Sequence, residues 1–112
     1  MVTYGDWVSV ARSERYAIRD AVVGPYTVSE TLLWHGQSTR GHEHERDEVY
    51  YFISGYGRMI VGEKSIDTPW GSVVYVGPNE YHRVENIGGV QPLRFLSFFV
   101  GEPGRPEVTS DD

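Results

Sequence analysis

Gly36-Gln-Ser-Thr-Arg-Gly-His42-Glu-His44-Glu-Arg-Asp-Glu48-Val-Tyr-Tyr-Phe-Ile-Ser-Gly55 is the stretch on which the reading of this chain turns. His42 and His44 are separated by one residue, so on an extended chain both project to one face and both rings can approach one point. Glu48 has the same parity. Four residues of extended chain run about 13 Å, whereas metal–ligand bonds of roughly 2.0 to 2.2 Å hold donor atoms far closer together. The chain therefore has to turn between His44 and Glu48. Glu45, Arg46 and Asp47 are polar enough to make that turn, which places the two histidines on one strand and the carboxylate at the start of the next. With His82 added, three imidazoles and one carboxylate are available to close around one divalent ion.

His82 sits in a second stretch, Gly71-Ser-Val-Val-Tyr-Val-Gly77-Pro78-Asn79-Glu-Tyr-His82-Arg-Val-Glu-Asn86. Together the two stretches resemble the paired motifs of the cupin superfamily. Gly36, His42, His44, Glu48 and Gly55 meet every fixed position of the first motif, and Gly71, His82 and Asn86 agree with the second. The Pro-x-Gly turn of the second motif is replaced here by Gly77-Pro78-Asn79, in which asparagine, tolerant of the left-handed conformation, can still make the turn. The resemblance covers about residues 26 to 100. It implies an all-β fold, a cupin-type jelly-roll β-barrel of two packed antiparallel sheets, with His42, His44, Glu48 and His82 as the metal ligands.

Periodicity agrees with strands and turns, with no helical stripe longer than a turn or two. Tyr26 to Trp34, Glu48 to Ser54, Arg58 to Val61, Ser65 to Asp67, Ser72 to Val76, His82 to Glu85 and Leu93 to Val100 read as strands rich in Val, Tyr, Phe and Ile. Turns fall at Gly55-Tyr-Gly57, Gly62-Glu-Lys64, Pro69-Trp-Gly71, Gly77-Pro-Asn79 and Ile87-Gly-Gly89. The whole chain, 1–112, reads as a single domain. Residues 1–25 add one or two strands, laid on a partner's sheet in a dimer, and the proline-rich, acidic segment 102–112 reads as a flexible tail.

Composition narrows the partners. A formal charge of −6, with ten Lys and Arg against sixteen Asp and Glu, argues against nucleic acid. The apolar runs are a few residues long, far short of the roughly 20 that span a bilayer, and the N-terminus has no basic stretch followed by an apolar one, so the expectation is a cytoplasmic protein without a membrane partner. The chain contains no cysteine, so disulfides and thiolate ligands are absent and any ion is held by nitrogen and oxygen. Such donors accept Fe, Mn, Zn, Ni, Co or Cu, and the ligand set does not choose among these divalent transition metals. Sheet edges need protection, which makes a homodimer the expected assembly.

Three neutral imidazoles and one carboxylate around a divalent cation leave a net charge of about +1 and, for an ion preferring six ligands, roughly two positions for water or substrate. That favours a small oxyanionic or chelating substrate and oxygenase-type or isomerase- and lyase-type chemistry. Tyr50 and Phe52 share the face of Glu48 and are expected to line the pocket, with Tyr50 a candidate catalytic side chain, and Arg40 has the parity of His42 and is expected at the pocket mouth. His35 lies outside the motif with opposite parity and reads as a surface histidine. Asn86 is expected to satisfy backbone groups at a strand end. The competing functions are a metal- or ligand-binding module without turnover and, from a short similarity around His82 to Leu93, a sugar-phosphate isomerase of the cupin type.

Overall fold

The computed structural model describes residues 3–101. The tail expected over 102–112 lies outside the described residues. Nine strands follow one another: β1 (Val8–Arg12), β2 (Tyr16–Val23), β3 (Tyr26–Leu33), β4 (Glu48–Ser54), β5 (Tyr56–Val61), β6 (Lys64–Pro69), β7 (Val73–Val76), β8 (His82–Asn86) and β9 (Leu93–Val100). They form a six-stranded sheet in the order β1-β2-β3-β9-β4-β7 and a three-stranded sheet in the order β6-β5-β8, antiparallel throughout. This is the two-sheet jelly roll that the sequence implies.

Alternation builds the core. Leu93, Phe95, Ser97 and Phe99 of β9 are buried while Arg94, Leu96 and Phe98 face outward, and His82, Val84 and Asn86 of β8 point into the barrel. Glu48, Tyr50 and Phe52 do the same on β4. Between the sheets Phe52, Met59, Leu33, Leu93 and Val84 are almost fully buried, at about 1.5–3 kcal/mol of hydrophobic stabilisation for each large apolar side chain. The opposite end of the barrel is left to polar groups.

The N-terminal segment supplies two strands, as expected, and they extend the chain's own sheet, with Tyr16 opposite Leu33 and Asp20 opposite Ser29. One expectation changes. Gly55-Tyr-Gly57 is a corner at which the chain leaves one sheet for the other, because β4 and β5 belong to different sheets. Gly55 makes the corner at φ 89°, and a Cβ there would fall 2.9 Å from the Pro92 carbonyl oxygen, so both conformation and space call for glycine. Asn79 occupies the left-handed region at φ 62°, as the displaced proline turn requires.

Asn86 closes the barrel end away from the histidines. Its buried amide donates to the carbonyl oxygens of Leu33 (2.9 Å) and Gln91 (3.0 Å), and its oxygen accepts the Gly88 N–H (3.0 Å). Asn86→Ala removes all three bonds and leaves buried partners unpaired, so the unfolding free energy should fall by about 2–4 kcal/mol. Urea titration reads this directly; an unchanged midpoint would contradict the role.

Candidate metal centre

His42 and His44 are not on a strand. They lie in the long connection between β3 and β4, whose inner stretch hydrogen-bonds along the free edge of β8. Thr39 N–H donates to the Val84 carbonyl (2.8 Å), and His42 and His82 exchange both backbone bonds, at 3.1 and 3.0 Å, in an isolated antiparallel bridge. The expected strand for the two histidines is thus corrected to an extended loop laid on β8. Gly41 lies beneath the Tyr81 ring, where a Cβ would overlap the tyrosine hydroxyl, so a side chain at this position would have to push the end of Tyr81 aside. The displaced proline turn fastens the far side of the loop, where Asn79 N–H donates to the His44 carbonyl at 2.7 Å.

This arrangement gathers three rings whose centroids are 4.7, 5.0 and 5.2 Å apart. One donor atom from each of His42, His44 and His82 lies within 4.8 Å of the others. Each ring is also oriented from behind. The Nδ1 of His42, His44 and His82 meets the backbone carbonyls of Arg40 (3.2 Å), Arg46 (2.9 Å) and Glu80 (2.8 Å). A carbonyl can only accept, so each Nδ1 carries a hydrogen and each Nε2 is the nitrogen turned to the common centre, with its lone pair presented there in every neutral ring. Backbone carbonyls in this position are the usual supports of metal-ligating imidazoles.

Glu48, the first residue of β4, completes the group. Its Oε1 lies 3.0 Å from His44 Nε2 and 3.4 Å from His82 Nε2, and the Tyr50 hydroxyl donates to the same oxygen at 3.2 Å. The approach to His82 lacks hydrogen-bond geometry, and His82 Nε2 is sealed from solvent with no partner. Two lone pairs therefore face each other in a buried place, an arrangement that a cation between them relieves. The donor set, nitrogen and oxygen with one negative charge, fits a divalent transition ion.

The electrostatics carry the same signature. Burial alone would raise the Glu48 pKa, but the adjoining His44 and His82 outweigh it and hold the carboxyl well below the usual range. The hydrogen bond to Glu48 raises His44, while burial and then the neighbouring His82 lower His42. In the metal-free protein a protonated His44 donates from Nε2 to Glu48 across 3.0 Å, the contact that raises the one group and lowers the other.

Behind the histidines is a cavity of about 60 Å³, lined on one side by the site and on the other by Ser29, Thr31, Ser97, Phe95 and Phe99. Arg40 and Tyr50 line it, where their parity placed them. Phe52 does not: it lies one step deeper, fully buried against Phe95 with ring centroids 5.3 Å apart. Arg46 and Arg83, which the sequence reading left as turn and strand residues, also line the cavity. Arg46 lays its guanidinium over the Phe99 ring, 4.1 Å from the centroid. The signal for Arg46 was its parity, shared with Arg40, His42, His44 and Glu48. His35 is exposed and away from the site, its ring bonded to the Gly89 carbonyl.

A family model described as the cupin domain matches residues 29–99. The chain belongs to the cupin family. Among its relatives, this cupin is 33% identical over 106 residues to glucose-6-phosphate isomerase of Thermococcus gammatolerans, covering 81% of this chain and 56% of that one. Against the Thermococcus litoralis isomerase the figures are 34% over 119 residues, 93% and 60%. The chain thus spans little more than half the length of these curated relatives. A structure of Bacillus subtilis oxalate decarboxylase, studied for its Mn(II) centres, superposes with TM-score 0.74 at 29% identity over 80% of this chain and 27% of that one. A cupin-superfamily protein of Desulfitobacterium hafniense shares the fold, with TM-score 0.70 at 17% identity over 83% and 84%. Among the described residues, no helix is long and apolar enough to cross a membrane.

Two outcomes follow. His82→Ala removes the one imidazole of the set that is both buried and fixed on a strand, so the barrel should stay folded while retention of added Mn(II) or Zn(II) drops at least about tenfold; equilibrium dialysis showing unchanged affinity would exclude His82 as a ligand. The second is a pH effect. Glu48 is lowered, so its stabilising share is lost as pH falls below the carboxylate range. His44 is raised, so its share is lost as pH rises past the imidazole range. The metal-free pair therefore contributes most between the ordinary values of 4.5 and 6.5. Metal needs the imidazoles unprotonated, so the rise in melting temperature on adding metal should grow from pH 5 to pH 8. A metal-induced rise that shrinks over that interval would contradict the coupling.

Proposed function

We propose that His42, His44, Glu48 and His82 hold one divalent transition ion and that this cupin is an enzyme acting on a small, chelating oxyanion in the cavity behind them. The observation that carries the reading is the triple support from behind: three imidazoles, each with Nδ1 tied to a backbone carbonyl, converge with Nε2 on a buried carboxylate. When bound, the ion would supply Lewis acidity and, if it is Fe, Mn or Cu, access to redox chemistry.

The chain's own residues set what enters. A cavity of about 60 Å³ takes a handful of waters or a ligand of a few heavy atoms, well below the roughly 300 Å³ at which pockets for drug-sized ligands begin. Arg40, Arg46 and Arg83 put positive charge around it, and the stacking of Arg46 on Phe99 holds one guanidinium in place. An anionic group is thus favoured at the cavity, whose opposite wall carries the hydroxyl-bearing Ser29, Thr31 and Ser97. Tyr50 spends its hydrogen on Glu48, which makes it first a positioning residue for the carboxylate. Phe95, Ile18 and Val84 keep the inner wall dry. A small hydroxy acid, diketone or dicarboxylate meets these limits.

A second reading is a sugar-phosphate isomerase, favoured by the identity to the Thermococcus isomerases and by the arginines among the residues that line the cavity. Calorimetry of the Mn- or Fe-loaded protein against small carboxylates and hexose phosphates, paired with aerobic and anaerobic turnover assays, separates the two. The first reading expects binding and turnover of a small carboxylate, and Arg46→Ala should raise its KM about tenfold with metal content unchanged. Aldose–ketose interconversion of a phosphorylated sugar would instead establish the second. A loaded protein that neither binds nor converts any of them would leave a metal-binding module without turnover.

A further inference from the structure

We infer that the cavity reads both ends of its ligand: a hydroxy-carboxylate head lies at the metal end, and the hydroxyls of Thr31 and Ser97, on the opposite wall, take a second, neutral hydroxyl at the far end. The inference rests on the metal-site reading above and narrows its substrate class to a small carboxylate with a further hydroxyl group. Register on the inner face of the large sheet sets the depths. Ser97 of β9 stands between Ser29 of β3 and Tyr50 of β4, and one pleat deeper Phe95 stands between Thr31 and Phe52. Glu48 and Phe99, each two residues from the Tyr50–Ser97 pair, form the level above. Successive levels are about 7 Å apart, with the metal-site carboxylate on top, the serines in the middle and Thr31 beneath.

Thr31 and Ser97 keep only 5% and 6% of their surface open. Among the described residues neither hydroxyl has a hydrogen-bonding partner, and neither is sealed off as the unpartnered Thr68 Oγ1 is. Both residues line the cavity, so that is the space their hydroxyls reach. A buried hydroxyl without a partner weakens a fold, and valine and alanine offer nearly the same shapes without that cost. The setting sharpens the contrast: in its row Thr31 lies between Ile18 and Phe95, both apolar. Two hydroxyls set in such a wall and turned to a cavity are a polar fixture for its occupant.

The distribution of charge decides which group they meet. The cavity's three arginines all come from the metal end of the chain's path: Arg40 and Arg46 stand two residues from His42 and His44, and Arg83 follows His82. The ring that carries the Arg46 guanidinium, Phe99, is at the level of Glu48. The far wall of Ile18, Ser29, Thr31, Phe95 and Ser97 includes no cation. A second carboxylate pressed against it would be buried without a counter-charge, which is expensive, whereas a hydroxyl there can both donate and accept. A methyl group in the same place would leave Thr31 and Ser97 unpaired. A metal–oxygen bond of roughly 2.0–2.2 Å, followed by three bonds of about 1.5 Å, brings the terminal oxygen of a three-carbon acid within hydrogen-bonding reach of the Ser97 level.

Three acids that share one head and differ only at the far end provide the test: lactate ends in a methyl group, glycerate in a hydroxymethyl group and tartronate in a second carboxylate. Each is titrated calorimetrically into the Mn(II)-loaded protein, and its affinity is taken relative to that for free Mn(II). On this scale glycerate should bind at least about tenfold more tightly than either of the others. In the double variant Thr31→Val, Ser97→Ala, metal content should be unchanged, and glycerate should fall to the level of lactate while lactate itself changes less than about twofold. Melting of the metal-free protein gives a readout that needs no ligand. The double variant should melt no lower than the wild type, and a fall of about 5 °C or more would make the hydroxyls structural and overturn the inference. Equal binding of the three acids, a preference for tartronate, or a glycerate preference that survives in the double variant would overturn it too and leave the metal-site reading standing. Binding of none of the three by a protein holding one ion per chain would overturn both.

Discussion

The pair of backbone hydrogen bonds between His42 and His82 is the contact on which the site depends. It joins positions forty residues apart and lays a loop without ladder partners of its own against the edge of β8. Once it forms, His42 and His82 must present their rings within a few ångströms of each other, and His44, one pleat further on, follows. The Thr39 N–H on the Val84 carbonyl and the Asn79 N–H on the His44 carbonyl hold the two ends of the same loop. The rings are then aimed by carbonyls two residues away, a local geometry that costs no further side chain.

A carboxylate inside such a ring of imidazoles poses an electrostatic problem. Glu48 is buried, and an unaccompanied charge there would be expensive. Without an ion, a proton held by His44 answers it. With an ion, the three lone pairs and the carboxylate are satisfied together, and the site trades one positive partner for a stronger one. Tyr50 serves both states, since its hydroxyl donates to Glu48 in either. The same cavity is lined by Arg40, Arg46 and Arg83 and, on its far wall, by Ser29, Thr31 and Ser97.

The strands β4 and β9 were legible to the residue because both are dense in aromatic and β-branched or other apolar side chains and are bounded by turn residues. β1 was not, since Val8–Arg12 is a short, exposed edge whose apolar residues do not alternate with the pleat, and its bulge breaks the period. The corner at Gly55 looked like a hairpin because a glycine turn does not say which sheet the next strand joins. At the site, parity found His42, His44, Glu48, Tyr50 and Arg40, but it could not separate Tyr50 from Phe52, which differ only in depth along one strand. Nor could it find Arg83, which reaches the cavity from β8 although its neighbour His82 holds the inward position. His42 and His44 were placed on a strand because extended conformation and strand pairing are indistinguishable in a His-x-His pair.

X-ray absorption of the protein loaded with a single equivalent of Mn(II), Fe(II) or Zn(II) tests the central claim most directly. The account predicts one ion per chain, three imidazole nitrogens and a carboxylate oxygen at roughly 2.0–2.2 Å, and at least one further position taken by exchangeable water. An ion with fewer than three imidazoles in its shell, or no stoichiometric ion at all, would contradict it.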